Sequence, residues 1–82
     1  MISFENLVED IWLVRYHSDE EDYGSDYHAI CTIHKENNRY YVKGFIARVR
    51  INFRYMIEEV KKYFNTNKLY IRKTDLTYIK VI

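Results

Sequence analysis

The run Arg39 to Phe64, RYYVKGFIARVRINFRYMIEEVKKYF, leaves this chain the least freedom. Within it the residue pattern changes period without a break. From Phe53 onward, apolar side chains recur at Met56, Ile57, Val60, Tyr63 and Phe64, the i, i+3, i+4, i+7 spacing that lines one side of an α-helix. Arg54, Glu58, Glu59, Lys61 and Lys62 take the other side, with Glu58 four residues ahead of Lys62, an order that favours an ion pair along the helix. Asn52 is placed to cap the start, and Asn65, Thr66 and Asn67 end the pattern. Before the helix, Arg39 to Val49 alternates. Tyr40, Val42, Gly44 and Ile46 share one face, and Arg39, Tyr41, Lys43 and Phe45 share the other, the period of two that belongs to a strand. The stretch therefore predicts a strand running into a helix that lies over Val42 and Ile46.

Ile11 to His17 (IWLVRYH) and Tyr27 to Lys35 (YHAICTIHK) are dense in β-branched and aromatic residues, which fit a pleated, half-buried surface. Both are expected to be strands, with Ala29, Cys31 and Ile33 on one face. Between them Ser18 to Asp26 (SDEEDYGSD) is polar and contains Gly24, the mark of an exposed loop. Glu36, Asn37 and Asn38 form a hairpin turn into the third strand. Ser3 precedes Phe4, Glu5, Asn6, Leu7 and Val8 as an N-cap precedes a short helix, here of under two turns. Lys68 to Lys73 and Leu76 to Ile82 close the chain as two strands about Thr74 and Asp75. The expected fold is α+β: an antiparallel sheet with one main amphipathic helix packed on one face, a short N-terminal helix and a C-terminal β-hairpin.

At 82 residues and 48% hydrophobic content, the chain has room for one domain, residues 1–82, and one core. A lone Cys31 forms no intramolecular disulfide, so packing must supply the stability. No stretch approaches the roughly 20 apolar residues of a membrane span, and no signal-peptide pattern is present. No membrane association is expected, and a cytoplasmic location is.

The net charge of +1 conceals a segregation. Residues 1–38 carry nine acids against Arg15 and Lys35, a balance of −7, whereas residues 39–82 carry eleven bases against Glu58, Glu59 and Asp75, a balance of +8. Such asymmetry points to a charged partner or to pairing of the two halves within the fold.

Two surface features follow. If the helix covers Val42 and Ile46, with Leu69, Ile71, Ile79 and Val81 in the same core, then Tyr41, Lys43, Phe45, Tyr70, Arg72, Tyr78 and Lys80 face away from it. Aromatic rings interleaved with cations suit stacking on unpaired bases while following phosphates, and they equally suit any half-buried strand. The second feature is Arg48, Arg50 and Arg54 at the start of the main helix, where cations oppose the helix dipole unless an anion sits nearby. A phosphate meets that need, and so does the acidic loop of Asp19, Glu20, Glu21, Asp22 and Asp26.

No cofactor and no metal are expected. His17, His28 and His34 fall on neighbouring strands without the converging geometry that zinc requires. The acidic loop counted from Asp19 puts Tyr23 and Ile30 where an EF-hand needs oxygen ligands. Cys31 alternates with Ala29 and Ile33 and reads as a small core residue.

Some stretches resemble known families. Lys43, Gly44 and Phe45 resemble the opening of the RNA-recognition-motif strand, from which Ile46 and Ala47 depart. A short helix, three strands and a helix over residues 3–64 are similar in order to the double-stranded-RNA-binding domain, whose phosphate grip the basic helix start resembles. A strand, helix and strand after two hairpin strands look like the middle of a GNAT acetyltransferase, without its glycine-rich pyrophosphate loop between Gly44 and Phe53; that resemblance implies a degenerate scaffold. The overall plan is similar to some phage-encoded anti-CRISPR and other anti-defence inhibitors. Small size, no catalytic set, tyrosines expected at the surface and opposed charge patches point the same way, to a small non-enzymatic protein that inhibits or modulates a larger protein or ribonucleoprotein machine by occluding a surface. A nucleic-acid-binding module using the aromatic and basic face is the alternative. Self-association through that face or through a C-terminal edge strand, giving a homodimer, is compatible with either.

Overall fold

The computed structural model describes residues 1–17, 28–72 and 79–82. Its elements, in chain order, are β1 (Ile2–Val8), β2 (Ile11–Tyr16), β3 (Ala29–Glu36), β4 (Arg39–Ala47), α1 (Phe53–Phe64), β5 (Tyr70–Arg72) and β6 (Ile79–Val81). The strands form one sheet in the order β1-β2-β3-β4-β5-β6, and with α1 they make a mixed α+β fold. The acidic residues Asp19, Glu20, Glu21, Asp22 and Asp26, the Thr74 and Asp75 turn, and Tyr78 lie outside the described residues.

The expected N-terminal helix is a strand instead. Fewer than two helical turns cannot offset the cost of nucleation, whereas the extended form pairs Ile2 with Tyr16, Phe4 with Val14 and Asn6 with Trp12 across β2. That register sets Ile2 and Phe4 against the core. The order helix, three strands, helix is thus replaced by four strands and a helix. The likeness in order to the double-stranded-RNA-binding domain ends there, as does the likeness in plan to the anti-defence inhibitors.

The sheet is also not wholly antiparallel. β4 and β5 run parallel, Tyr41 opposite Tyr70 and Val42 opposite Ile71, because α1 carries the chain back along the sheet before β5 begins, as parallel neighbours require. The β3 to β4 connection is a tight turn with Asn37 at φ 51° and Asn38 at φ 64°, the left-handed pair that matches strand twist and that asparagine tolerates. Beyond α1, β5 and β6 form the expected antiparallel pair, with Tyr70 opposite Val81 and Arg72 opposite Ile79.

α1 begins and ends where its sequence indicates. The Asn52 Oδ1 accepts the backbone N–H of Tyr55 at 3.0 Å. Asn65 is left-handed, its N–H donating to Lys62 O at 3.2 Å while the Thr66 N–H donates to Lys61 O at 3.0 Å, closing two otherwise orphaned carbonyls. Met56, Ile57 and Val60 join Val14, Ala29, Cys31, Ile33, Val42 and Leu69 in one buried cluster. Rings extend this contact: Phe64 lies 4.8 Å from Trp12 and 4.7 Å from Tyr40, and Tyr63 stacks on Phe4 at 3.8 Å. The surface charges pair one residue closer than expected, Glu58 with Lys61 and Glu59 with Lys62, both at 3.8 Å.

One irregularity decides which side chains share a face. Thr32 opposes Lys43 and Ile30 opposes Ile46, so one residue of β3 stands against two of β4, Gly44 and Phe45. This is a β-bulge, with Gly44 at φ +63°, a conformation that costs a residue with a Cβ and suits glycine. Thr32 Oγ1 donates to the Lys43 carbonyl at 3.0 Å beside it. Past the bulge the alternation of β4 is reversed.

Candidate interaction face

Facing residues of neighbouring strands share a side of the sheet, so the registers trace a row through all the strands on the side away from α1. Val8 faces Ile11, Ile11 faces His34, His34 faces Tyr41, Tyr41 faces Tyr70, and Tyr70 faces Val81. Parallel to it run Glu5, Leu13, Thr32 and Lys43, and then Ser3, Arg15, Ile30 and Ile46. The most exposed apolar members are Ile46 at 60%, Val8 at 59% and Val81 at 52%.

Among the described residues, two ion pairs lie on this side. Arg15 Nη1 donates to Glu5 Oε1 at 2.9 Å, and Lys43 Nζ donates to Glu36 Oε1 at 3.3 Å. The Arg39 guanidinium lies 4.9 Å from the centre of the Tyr70 ring, a cation–π contact. His34 is half-buried, and its pKa is held below the ordinary 6.5, first by desolvation and then by Lys43, with Glu36 opposing.

The expected aromatic and basic platform is only partly assembled. Tyr41, Lys43 and Tyr70 do lie on the side away from the helix, and the backbone of Arg72 is in register with Ile79. Tyr41 is only 4% exposed, however, with the Tyr70 ring 5.7 Å away, so its π-face is already in use. Phe45 is on the other side. The bulge at Gly44 turns it toward α1, where it meets Phe53 edge-on at 5.2 Å, and it turns Ile46 out to the side away from the helix opposite Ile30. β6 is inverted in the same sense, while β5 keeps its expected phase: Lys80 faces Ile71 on the helix side, while Ile79 and Val81 point away from it and are exposed. The expectation that Ile46, Ile79 and Val81 share the core beneath the helix is therefore corrected.

Arg48, Arg50 and Arg54 are exposed and flank the Asn52 cap, and the first turn of α1 contains no acid. The Arg48 N–H donates to the His28 carbonyl at 2.8 Å, which ties the cluster's first member to β3.

No protein-family model, curated protein or solved structure matches this chain.

One contact escaped the sequence reading. Ser3 Oγ lies 3.3 Å from His17 Nε2, and His17 is 4% exposed with Nδ1 lacking a hydrogen-bond partner. A serine nucleophile needs a base that a third group orients, and among the described residues none bonds to Nδ1. The pairing is invisible in the sequence because Ser3 meets His17 only through the β1 to β2 register. Cys31 is buried, and desolvation pushes its thiol up to about 12 from an ordinary 9.0, so at neutral pH it is a packing atom and not a thiolate. Among the described residues no group of three His, Cys, Asp or Glu side chains converges as a metal site, and no helix is long and apolar enough to cross a membrane.

Proposed function

We propose that this protein is a non-enzymatic binding protein that occludes a surface on a larger protein or ribonucleoprotein machine, using the sheet face away from α1. The observation that carries this reading is the combination on that face of exposed apolar side chains, Val8, Ile46, Ile79 and Val81, with two ion pairs made inside the chain, Arg15 with Glu5 and Lys43 with Glu36. Exposed apolar side chains set among paired charges across a sheet face are suited to a macromolecular interface. The location we assign to it is the cytoplasm.

The test is capture of a partner from a plausible host with immobilised wild type, with Ile46→Lys, and with Glu58→Gln on α1. Wild type and the helix variant should retain the same partner, and Ile46→Lys should lose it. Recovery of nothing above background, or of a partner indifferent to Ile46→Lys, overturns the reading.

The nucleic-acid alternative rests now on Arg48, Arg50, Arg54, Lys43 and Tyr70. It requires binding that weakens steeply with salt as counterions are released, and Arg50→Ala with Arg54→Ala should flatten the slope by about one per phosphate contact. A degenerate acetyltransferase-like scaffold keeps one supporting feature, the parallel strand-helix-strand unit of β4, α1 and β5. Saturable acetyl-coenzyme A binding in calorimetry is what that scaffold would show.

A further inference from the structure

Among the described residues β1 ends the sheet, and its outer edge has the hydrogen-bonding pattern of an antiparallel strand awaiting a partner. The pattern is anchored at its first residue. Met1 and His17 exchange both bonds, the His17 N–H donating to Met1 O at 2.8 Å and the Met1 amino group to His17 O at 2.9 Å. In an antiparallel ladder the inward-bonding residues then alternate, so Ser3 and Glu5 bond to β2 while Ile2, Phe4 and Asn6 turn their N–H and C=O groups outward. Tyr16, opposite Ile2, confirms this phase, because its carbonyl accepts from the His28 N–H at 2.8 Å on the far side. The segment ISFENLV contains no proline or lysine, the residues that commonly block such an edge.

We propose that a second copy of this chain pairs with β1 across a two-fold axis at Phe4, joining the two sheets into one. The register follows from the outward groups and the charges. With Phe4 opposite Phe4 of the second copy, Ile2 faces Asn6 and Ser3 faces Glu5, and about six backbone hydrogen bonds form. Sliding by one residue along each strand so that Glu5 meets Glu5 sets two carboxylates together, and sliding the other way shortens the paired run. Only the Phe4-centred register uses all of Ile2, Phe4 and Asn6 with no like charges opposed.

Side chains at the edge favour the same arrangement. Phe4 and Tyr63 stack at 3.8 Å over β1, yet Tyr63 remains 55% exposed. The two-fold axis brings a second Phe4 and Tyr63 against the first, an aromatic cross-strand contact of the kind that stabilises paired strands. Glu5 is neutralised by its own Arg15 at 2.9 Å, and a net charge of +1 opposes association little. The inference stands apart from the face proposed above, which the dimer would double in extent.

Solution mass and cross-linking test it. Light scattering across micromolar to millimolar protein should show twice the 10.1 kDa chain. Asn6→Pro removes an outward N–H together with the Nδ2 bonds of Asn6 to the carbonyls of Val8 and Ile11, and Asn6→Ala removes those side-chain bonds alone, so Asn6→Pro should shift the mass to the monomer while Asn6→Ala stays dimeric. Ser3→Cys and Glu5→Cys, mixed in equal amounts under oxidation, should give a disulfide-linked pair, while each alone should give far less. Should Asn6→Pro fail to fold, the cysteine mixture still decides the register. A monomer at every concentration, or a dimer that resists Asn6→Pro and forms no link between positions 3 and 5, overturns the proposal. A monomer whose Ile46-dependent capture persists would refute the dimer alone.

Discussion

The rings of Phe45 and Phe53 meet edge to face, 5.2 Å apart at an interplanar angle of 88°, joining the end of β4 to the first turn of α1. An unbroken strand would have placed Phe45 on the opposite side of the sheet. The contact exists because Gly44, at φ +63°, absorbs an extra residue and reverses the alternation.

Gly44→Ala tests that dependence. A Cβ at position 44 would meet Thr32 Oγ1 at 3.8 Å, an ordinary contact, so the cost is conformational and not steric. Left-handed backbone disfavours alanine by about 1 to 2 kcal/mol, and the denaturation midpoint should fall accordingly. Gly44→Asn should lose less, since asparagine enters this region more readily.

Phe64 is where three elements meet, with Trp12 at 4.8 Å, Tyr40 at 4.7 Å and Phe4 at 6.0 Å. Phe64→Ala removes all three contacts and leaves a gap between α1 and the sheet. We expect a loss of about 3 kcal/mol in urea unfolding. A change within 0.5 kcal/mol, the range of an ordinary surface substitution, would mean that the helix end is not anchored there.

Cys31 should be silent toward thiol reagents in the folded protein. Its thiol is buried and pushed up to about 12 by desolvation, which leaves almost no thiolate at pH 8. A disulfide-exchange reagent should react slowly in native buffer and fully in denaturant. Rapid native reaction would show that the β3 core opens readily.

His34 makes stability depend on pH in a defined direction. Its folded pKa lies below the ordinary 6.5, mainly through desolvation with Lys43 adding to it, so the unfolded chain binds a proton more readily. Stability is fully present above 6.5 and declines as the pH falls through the interval beneath it, until the folded ring is protonated as well. The ring is only half-buried, so the effect is modest. Melting temperatures at pH 7.5 and 5.5 should differ less in His34→Gln than in wild type.

The local elements were legible wherever a repeat and its punctuation agreed. Phe53 to Phe64 shows a helical period bounded by Asn52 and Asn65, and the structure begins and ends α1 there. Asn37 and Asn38 marked a hairpin, and both are left-handed. Ser3 to Val8 misled because a serine followed by mixed residues satisfies the start of a helix and the start of an amphipathic strand alike; pairing with β2 chose between them. In the candidate face, Tyr41, Lys43 and Tyr70 were placed correctly by alternation, whereas Phe45 and Lys80 were not.

By itself, then, the amino-acid sequence determined the period of each segment and the residues able to stop it, because those depend on backbone preferences and neighbours a few positions apart. The tertiary structure alone decided phase. A one-residue bulge at Gly44 leaves β4 readable as a strand yet exchanges the sides of Phe45 and Ile46. The pairing of β6 on β5 likewise sends Val81 away from the helix and Lys80 toward it. Register is set by contacts between residues far apart in the chain, and in a structure of period two each single-residue shift reverses every side chain beyond it.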